Sequence, residues 1–231
     1  MKPVFLGVPC FREDAQSLAE AVASFEDPCV DVVLVDNGAS SEVKQVLLTA
    51  RTARVLHNPR NIYINPAWNQ LAHHFLRSRR EIFALANADT ILSRGWGRAL
   101  FQRAGREEFW FGVLSTPALV RIPMDPYWKV TGEGTVAHHT AGFFFAMPRG
   151  LVEKVFPIPE EILLYYGDDW IFRLAKAAGY ATTYLHDVRV WHERSVSIGR
   201  LEEGARIIDA DNRAWREVVE PRCRAREAEL R

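Results

Sequence analysis

Long apolar runs are missing from this sequence. None approaches the roughly 20 residues needed to cross a bilayer, so the chain is expected to be soluble. Net charge is missing as well: Lys plus Arg and Asp plus Glu balance at 29 each. That balance removes any global argument for a nucleic-acid or membrane-surface partner. Cysteine is scarce. Cys10, Cys29 and Cys223 are odd in number and scattered, which gives neither a disulfide framework nor a zinc-binding spacing and points to a reducing, cytoplasmic compartment. No Gly-x-Gly-x-x-Gly follows the first apolar run and no Walker A motif occurs, so the usual dinucleotide and P-loop readings lose their main support. The stretch before that run is too short for a signal peptide.

Apolar residues are plentiful, at 48% of 231 residues, enough for one large domain or one domain with an appended segment. Val4–Val8, Asp31–Val35, Arg54–Leu56 and Glu81–Ala86 read as strands, the first of them ending at Pro9. Helical spacing falls between them, over Ala15–Phe25, after Ser41 as N-cap, and from Pro66 to about Arg77 with Asn65 as N-cap. The alternation predicts a doubly wound α/β sheet, mostly parallel and flanked by helices. Further on, Trp96–Ala104 reads as a helix and Phe109–Leu114 as a strand. Thr116–Thr140 reads as a long binding loop or lid. Ala141–Met147 is a strand and Arg149–Val155 a short helix. Trp170–Ala178 is an amphipathic helix closed by Gly179. Two more strands, Tyr180–Leu185 and Asp187–Trp191, precede C-terminal helices from Leu201, with a frayed tail after Pro221. The divisions are 1–92, 93–199 and a helical extension at 200–231.

Four polar clusters interrupt this pattern at strand or loop ends: Asp36-Asn37, Asn87-Ala88-Asp89, Asp168-Asp169 and His192. Strands of a parallel sheet deliver their carboxyl ends to one rim, where such sheets bind ligands. Asp36 and Asp89 therefore belong to that rim, and the other two reach it only if the second half folds back. Each cluster also has a plain structural explanation. Asp36-Asn37-Gly38 and Asn87-Ala88-Asp89 are turn-forming strings, Asp168-Asp169 suits a helix N-terminus, and one His at a strand end is ordinary. Cys10 reads as an apolar core residue.

Taken in order, the motifs resemble those of inverting glycosyltransferases of the GT-A fold, in the large family 2 with its rhamnosyltransferase-like members. The resemblance runs from Val4 to Ser197. VLVDNGASS resembles the segment whose aspartate recognises the uracil or ribose. NPRNIYINPAWNQ keeps two asparagines, Asn61 and Asn69, with Tyr63 standing where glycine is usual. ALANADTIL resembles the Leu-Asn-x-Asp-Thr form of the DXD motif, and TAGFFFAMPRG the strand and helix beside the acceptor. YYGDDWIFR resembles the catalytic-base run, with Asp168 for glutamate and Ile171 for its second aspartate. VRVWHERS resembles the segment whose histidine completes the metal site.

The resemblance implies a nucleoside diphosphate sugar donor, UDP- or dTDP-linked, held by Pro9, Asp36, Asn37, Asn61, Asn69, Asn87 and Asp89. It implies a divalent cation on Asp89 and His192, and an imidazole ligand favours Mn²⁺ over Mg²⁺. Asp169 becomes the base, with Asp168 as second candidate, and Arg173, one helical turn on, orients that carboxylate or pairs with it. Trp128, His139, Gly142 and Arg173 fall on the acceptor side, together with Trp110, Tyr127 and His138. Arg94, Arg98, Arg103 and Arg106 lie along one helix region, where they suit an anionic acceptor or a solvated face. No residue names the acceptor, which could be a glycan, a lipid-linked glycan or a nucleic acid. Two other readings stand beside the enzyme: a catalytically silent GT-A domain acting as a glycan- or partner-binding module, and a nucleotidyltransferase. The glycine-free VPCFRED loop speaks against the latter.

Overall fold

The computed structural model describes residues 3–51, 53–114, 129–131, 135–137, 142–192 and 203–231. Its first half is an alternation of β1 (Val4–Cys10), α1 (Ala15–Phe25), β2 (Val30–Asn37), α2 (Ser41–Thr49), β3 (Ala53–Asn58), α3 (Ile64–Leu76) and β4 (Ile82–Ala86). Then come β5 (Thr90–Leu92), α4 (Trp96–Phe101), β6 (Glu108–Leu114), the small pair β7 (Lys129–Thr131) and β8 (Thr135–Ala137), and β9 (Phe144–Pro148). The rest is α5 (Arg149–Val155), α6 (Gly167–Ala177), β10 (Ala181–His192), α7 (Gly204–Ala214), a π-helical turn at Trp215–Val219 and α8 (Glu220–Leu230).

The main sheet has the order β3-β2-β1-β4-β9-β6-β10-β5. The β3-β2-β1-β4 block is parallel throughout, and β6 runs parallel to β10. β9 is antiparallel to both of its neighbours, and β5 to β10. Successive side chains of the apolar strands go to opposite faces, and both faces are covered. Val4, Leu6 and Val8 of β1 join one core, with Val32, Leu34, Ala84 and Ala146. Phe5 joins the other, with Val33, Phe83, Phe145, Leu71 of α3 and Leu174 of α6. Double coverage explains why these strands read as unbroken apolar runs rather than alternating ones.

Several boundaries differ from the sequence reading. α2 is capped by Ser40, whose hydroxyl accepts from the Val43 N–H, rather than by Ser41. α3 starts at Ile64, behind Tyr63, so Asn65 lies inside it and does not cap it. The two strands expected near the C-terminal side are one strand, β10, carrying a register shift between Leu185 and Arg189. The tail after Pro221 is helical to Leu230: Pro221 is the second residue of α8, directly after the π-helical turn at Trp215–Val219, where the regular α-helical hydrogen-bond ladder is already interrupted. β5 had no distinct sequence signal, because three residues are too few for a period.

Candidate active site

The register of β5 against β10 pairs Thr90 with His192. Asp89 precedes Thr90, so the pairing sets the imidazole beside that carboxylate: His192 Nε2 lies 3.2 Å from Asp89 Oδ1, and both side chains are 12% exposed. The Asn87 amide reaches the same nitrogen at 3.3 Å. Phe143 backs the group. Its carbonyl accepts from the Asn87 N–H at 2.9 Å and from the Thr90 hydroxyl at 3.3 Å, and its ring stacks on His192 at 5.2 Å. Two donors on adjacent vertices of a cation with bonds of about 2.1 Å stand about 3 Å apart, so this pair fits one divalent ion. Among the described residues no third His, Cys, Asp or Glu joins them.

Asp36 and Asn37 end β2 on the same rim and are buried. Asp36 Oδ1 accepts from the Ala39 N–H at 2.9 Å, and Oδ2 faces His57 Nδ1 at 3.1 Å. Asn37 donates to Asn61 Oδ1 at 2.9 Å and accepts from the Ile62 N–H at 3.0 Å. Asn58 and Gln70 extend the network through paired amides at 3.1 Å. Gly38, at φ +70, lies where a Cβ would come within 2.5 Å of the Asn61 nitrogen, so the two loops require glycine there. Tyr63, at φ 67 and ψ 178, holds a conformation that glycine adopts freely and other residues rarely do. That is the position where the resembled family carries glycine.

His57 was hidden in the sequence as one residue of a polar loop. Its place follows from the parallel register, in which Asp36 faces His57 across β2 and β3.

Asp168 and Asp169 lie in the first turn of α6, two and three residues further into the chain than the helix-capping Tyr166, rather than ahead of the helix. Asp168 Oδ2 accepts from the Gly142 N–H at 3.2 Å, next to Phe143, and this contact joins the α6 start to the Asp89–His192 group. Desolvation, and after it the Asp169 charge, raise the Asp168 carboxyl to about 6, against the pull of backbone N–H groups. Asp169 is exposed.

Other expected residues sit elsewhere. Pro9 is buried within β1, paired with Val35, one register step before the Cys10–Asp36 pair. Asn69 spends its amide on the Ile158 backbone, donating at 2.8 Å and accepting at 2.7 Å. Arg173 turns away from Asp169 to a bidentate pair with Glu227 at 2.7 and 2.9 Å and a contact with Glu220 at 3.5 Å. Trp110 is fully buried, its indole N–H on Glu108. Ile171 is also fully buried, so the position of the family's second aspartate faces core. Arg103 pairs with Asp187. Cys10 is buried and its thiol is pushed up by burial, as an apolar residue would be. Tyr127, Trp128, His138 and His139 lie outside the described residues.

No protein-family model matches the chain, and no curated protein matches it in sequence. Solved structures do resemble it. A mannosyltransferase from Pyrobaculum calidifontis, solved with GDP-Man and Mn²⁺, superposes with a TM-score of 0.61 at 15% identity over 99% of this chain and 73% of its own. TarS from S. aureus, residues 1–349, does so with 0.61 at 13% identity over 94% and 73%. GalNAc-T7 with UDP, GalNAc and Mn²⁺ gives 0.62 at 14% identity over 82% of this chain and 42% of its own. At such low identity the likeness speaks for architecture: the chain has the GT-A fold.

Proposed function

We propose that this chain is a metal-dependent, inverting glycosyltransferase that moves a sugar from a UDP- or dTDP-linked donor to an acceptor hydroxyl. The observation that carries the reading is the meeting of Asp89 and His192 on the rim that also holds Asp36 and, through Gly142, Asp168. Structural neighbours that bind nucleotides and Mn²⁺ support it.

Asp89 and His192 would hold the cation, and the imidazole favours Mn²⁺ over Mg²⁺. When bound, the cation neutralises charge developing on the diphosphate leaving group. Asp36, Asn37 and Asn61 hold the nucleoside end. Asp169 takes the proton of the acceptor hydroxyl while that oxygen attacks the anomeric carbon from the face opposite the diphosphate. One C–O bond forms as the bond to the diphosphate oxygen breaks, and the configuration inverts. Asp168 holds Gly142 in place beside the reacting centre and is the second candidate for base.

The test is a panel of nucleotide sugars with and without Mn²⁺, read as thermal stabilisation and product formation, because a specific donor stabilises by mass action. Asp89→Ala is expected to abolish the metal-dependent shift. Asp169→Asn should keep that shift and lose transfer by about 10²-fold or more, the size of a general-base contribution. Absence of any metal-dependent shift with every donor would sink the proposal.

A further inference from the structure

We propose that Asp211, in the C-terminal helix α7, is a positioning residue for the catalytic carboxylates of α6. The inference rests on the glycosyltransferase reading for its kinetic arm and on geometry alone for its structural arm.

Asp211 is a carboxylate buried to 1% exposure, and among the described residues no arginine or lysine forms an ion pair with it. It accepts instead three successive backbone N–H groups: Leu163 at 2.9 Å on Oδ1, and Leu164 at 2.7 Å and Tyr165 at 2.8 Å on Oδ2. The carbonyls of the same segment go to the opposite side, to Asn65 of α3. Its Nδ2 donates to Ile162 O at 3.2 Å and Tyr165 O at 3.0 Å, and its backbone N–H to Leu163 O at 3.0 Å. An irregular segment inside a protein must place each of its polar backbone groups. Here two residues from distant parts of the chain, Asp211 and Asn65, take six of those groups.

The next residue carries the constraint forward. Tyr166, left-handed at φ 64, donates its hydroxyl to Asn212, stacks on Trp215 at 4.7 Å, and accepts the Trp170 N–H at 2.9 Å as the first bond of α6. Two residues on are Asp168 and Asp169. The path from Asp211 to the proposed base thus runs from the bonded segment Leu163–Tyr165 through Tyr166 and Gly167 to Asp168 and Asp169. A charged acceptor of several N–H groups is stronger and more directional than a neutral one, which accounts for a bare carboxylate at a buried site. Asparagine in its place keeps the shape, but one oxygen becomes an N–H₂ that opposes the donors.

The experiment compares Asp211→Asn with Asp209→Asn, an exposed carboxylate on the same helix. Amide hydrogen exchange at Leu163–Tyr165 is expected to be about tenfold faster or more in Asp211→Asn, as loss of charge-assisted bonds predicts, and unchanged in Asp209→Asn. Displacement of a catalytic group by about 1 Å costs on the order of 10²-fold, so kcat should fall by that order while the donor KM and the Mn²⁺-dependent thermal shift stay at wild-type values. Unchanged exchange in the segment overturns the proposal whatever the kinetics. A kcat and KM that move together, following a general loss of stability, overturn it in favour of a merely structural role. Should wild type transfer no sugar from any donor, the glycosyltransferase reading fails separately, and exchange at Asp168 and Asp169 decides whether Asp211 positions them.

Discussion

Burial and the neighbouring Asp169 raise the Asp168 carboxyl from 3.8 to about 6, which links its ionisation to folding. Between those values the native state binds more protons than the unfolded state, so stability falls as pH rises through that window and stays lowered above it. At about 1.4 kcal/mol per pH unit the cost is at most about 3 kcal/mol. Asp168→Asn removes the buried charge but gives up one backbone hydrogen bond. It should be about 1–2 kcal/mol more stable than wild type at pH 7.5, with the advantage gone near pH 4, by denaturant unfolding. A variant equally or less stable at pH 7.5 would show that the site does not strain the fold. Tyr63 tells a related story. Its φ of 67 with ψ 178 costs about 1–3 kcal/mol in a non-glycine residue, partly offset in Tyr63→Gly by about 0.5–1 kcal/mol of backbone entropy. That variant is expected to raise the melting temperature, and a drop would mean that the tyrosine ring contributes more than its backbone costs.

At the scale of elements, the fit between α6 and α3 is set by a missing side chain. A Cβ on Gly167 would stand 2.1 Å from Asn65 Oδ1. Gly167→Ala should therefore cost about 1–3 kcal/mol, and less in an Asn65→Ala background, a coupling of about 0.5 kcal/mol or more in a double-mutant cycle. Strict additivity would mean that the two helices do not meet as described. α6 meets α8 through charge. The Arg173 guanidinium holds the Glu227 carboxyl below its ordinary value, so this pair supports the fold at neutral pH and loses its contribution as pH falls through the lowered value. α6 is thus held on one side by packing and on another by an ion pair.

For the whole molecule, the C-terminal helices share a core with the sheet. Val219 and Cys223 are fully buried in the cluster that contains Phe83, Phe145 and Leu174. Calorimetry of the full chain should show one cooperative transition, and two would mark residues 204–231 as a separate unit. Removing residues from Trp215 onward should cost about 1.5–3 kcal/mol for the Val219 side chain alone, and would also leave Tyr166 unstacked. No helix among the described residues is long and apolar enough to cross a membrane.

The parallel half of the fold was legible in the sequence because double burial writes itself as apolar runs of strand length, and the polar residues that end those runs mark the rim. Asp36, Asp89, Asp168 and His192 were named as candidates on that basis. Tertiary structure alone decided which of them meet. The pairing of His192 with Asp89 depends on a three-residue strand with no period of its own, and that of His57 with Asp36 on a register that composition does not record. The same limit explains Asn69 and Arg173. An amide or a guanidinium chooses its partner by distance in space, and here the nearest partners were the Ile158 backbone and Glu227, far away in sequence. Asp211 is the extreme case: in the sequence it is one acidic residue on a charged helix, and only the folded chain turns it toward three N–H groups.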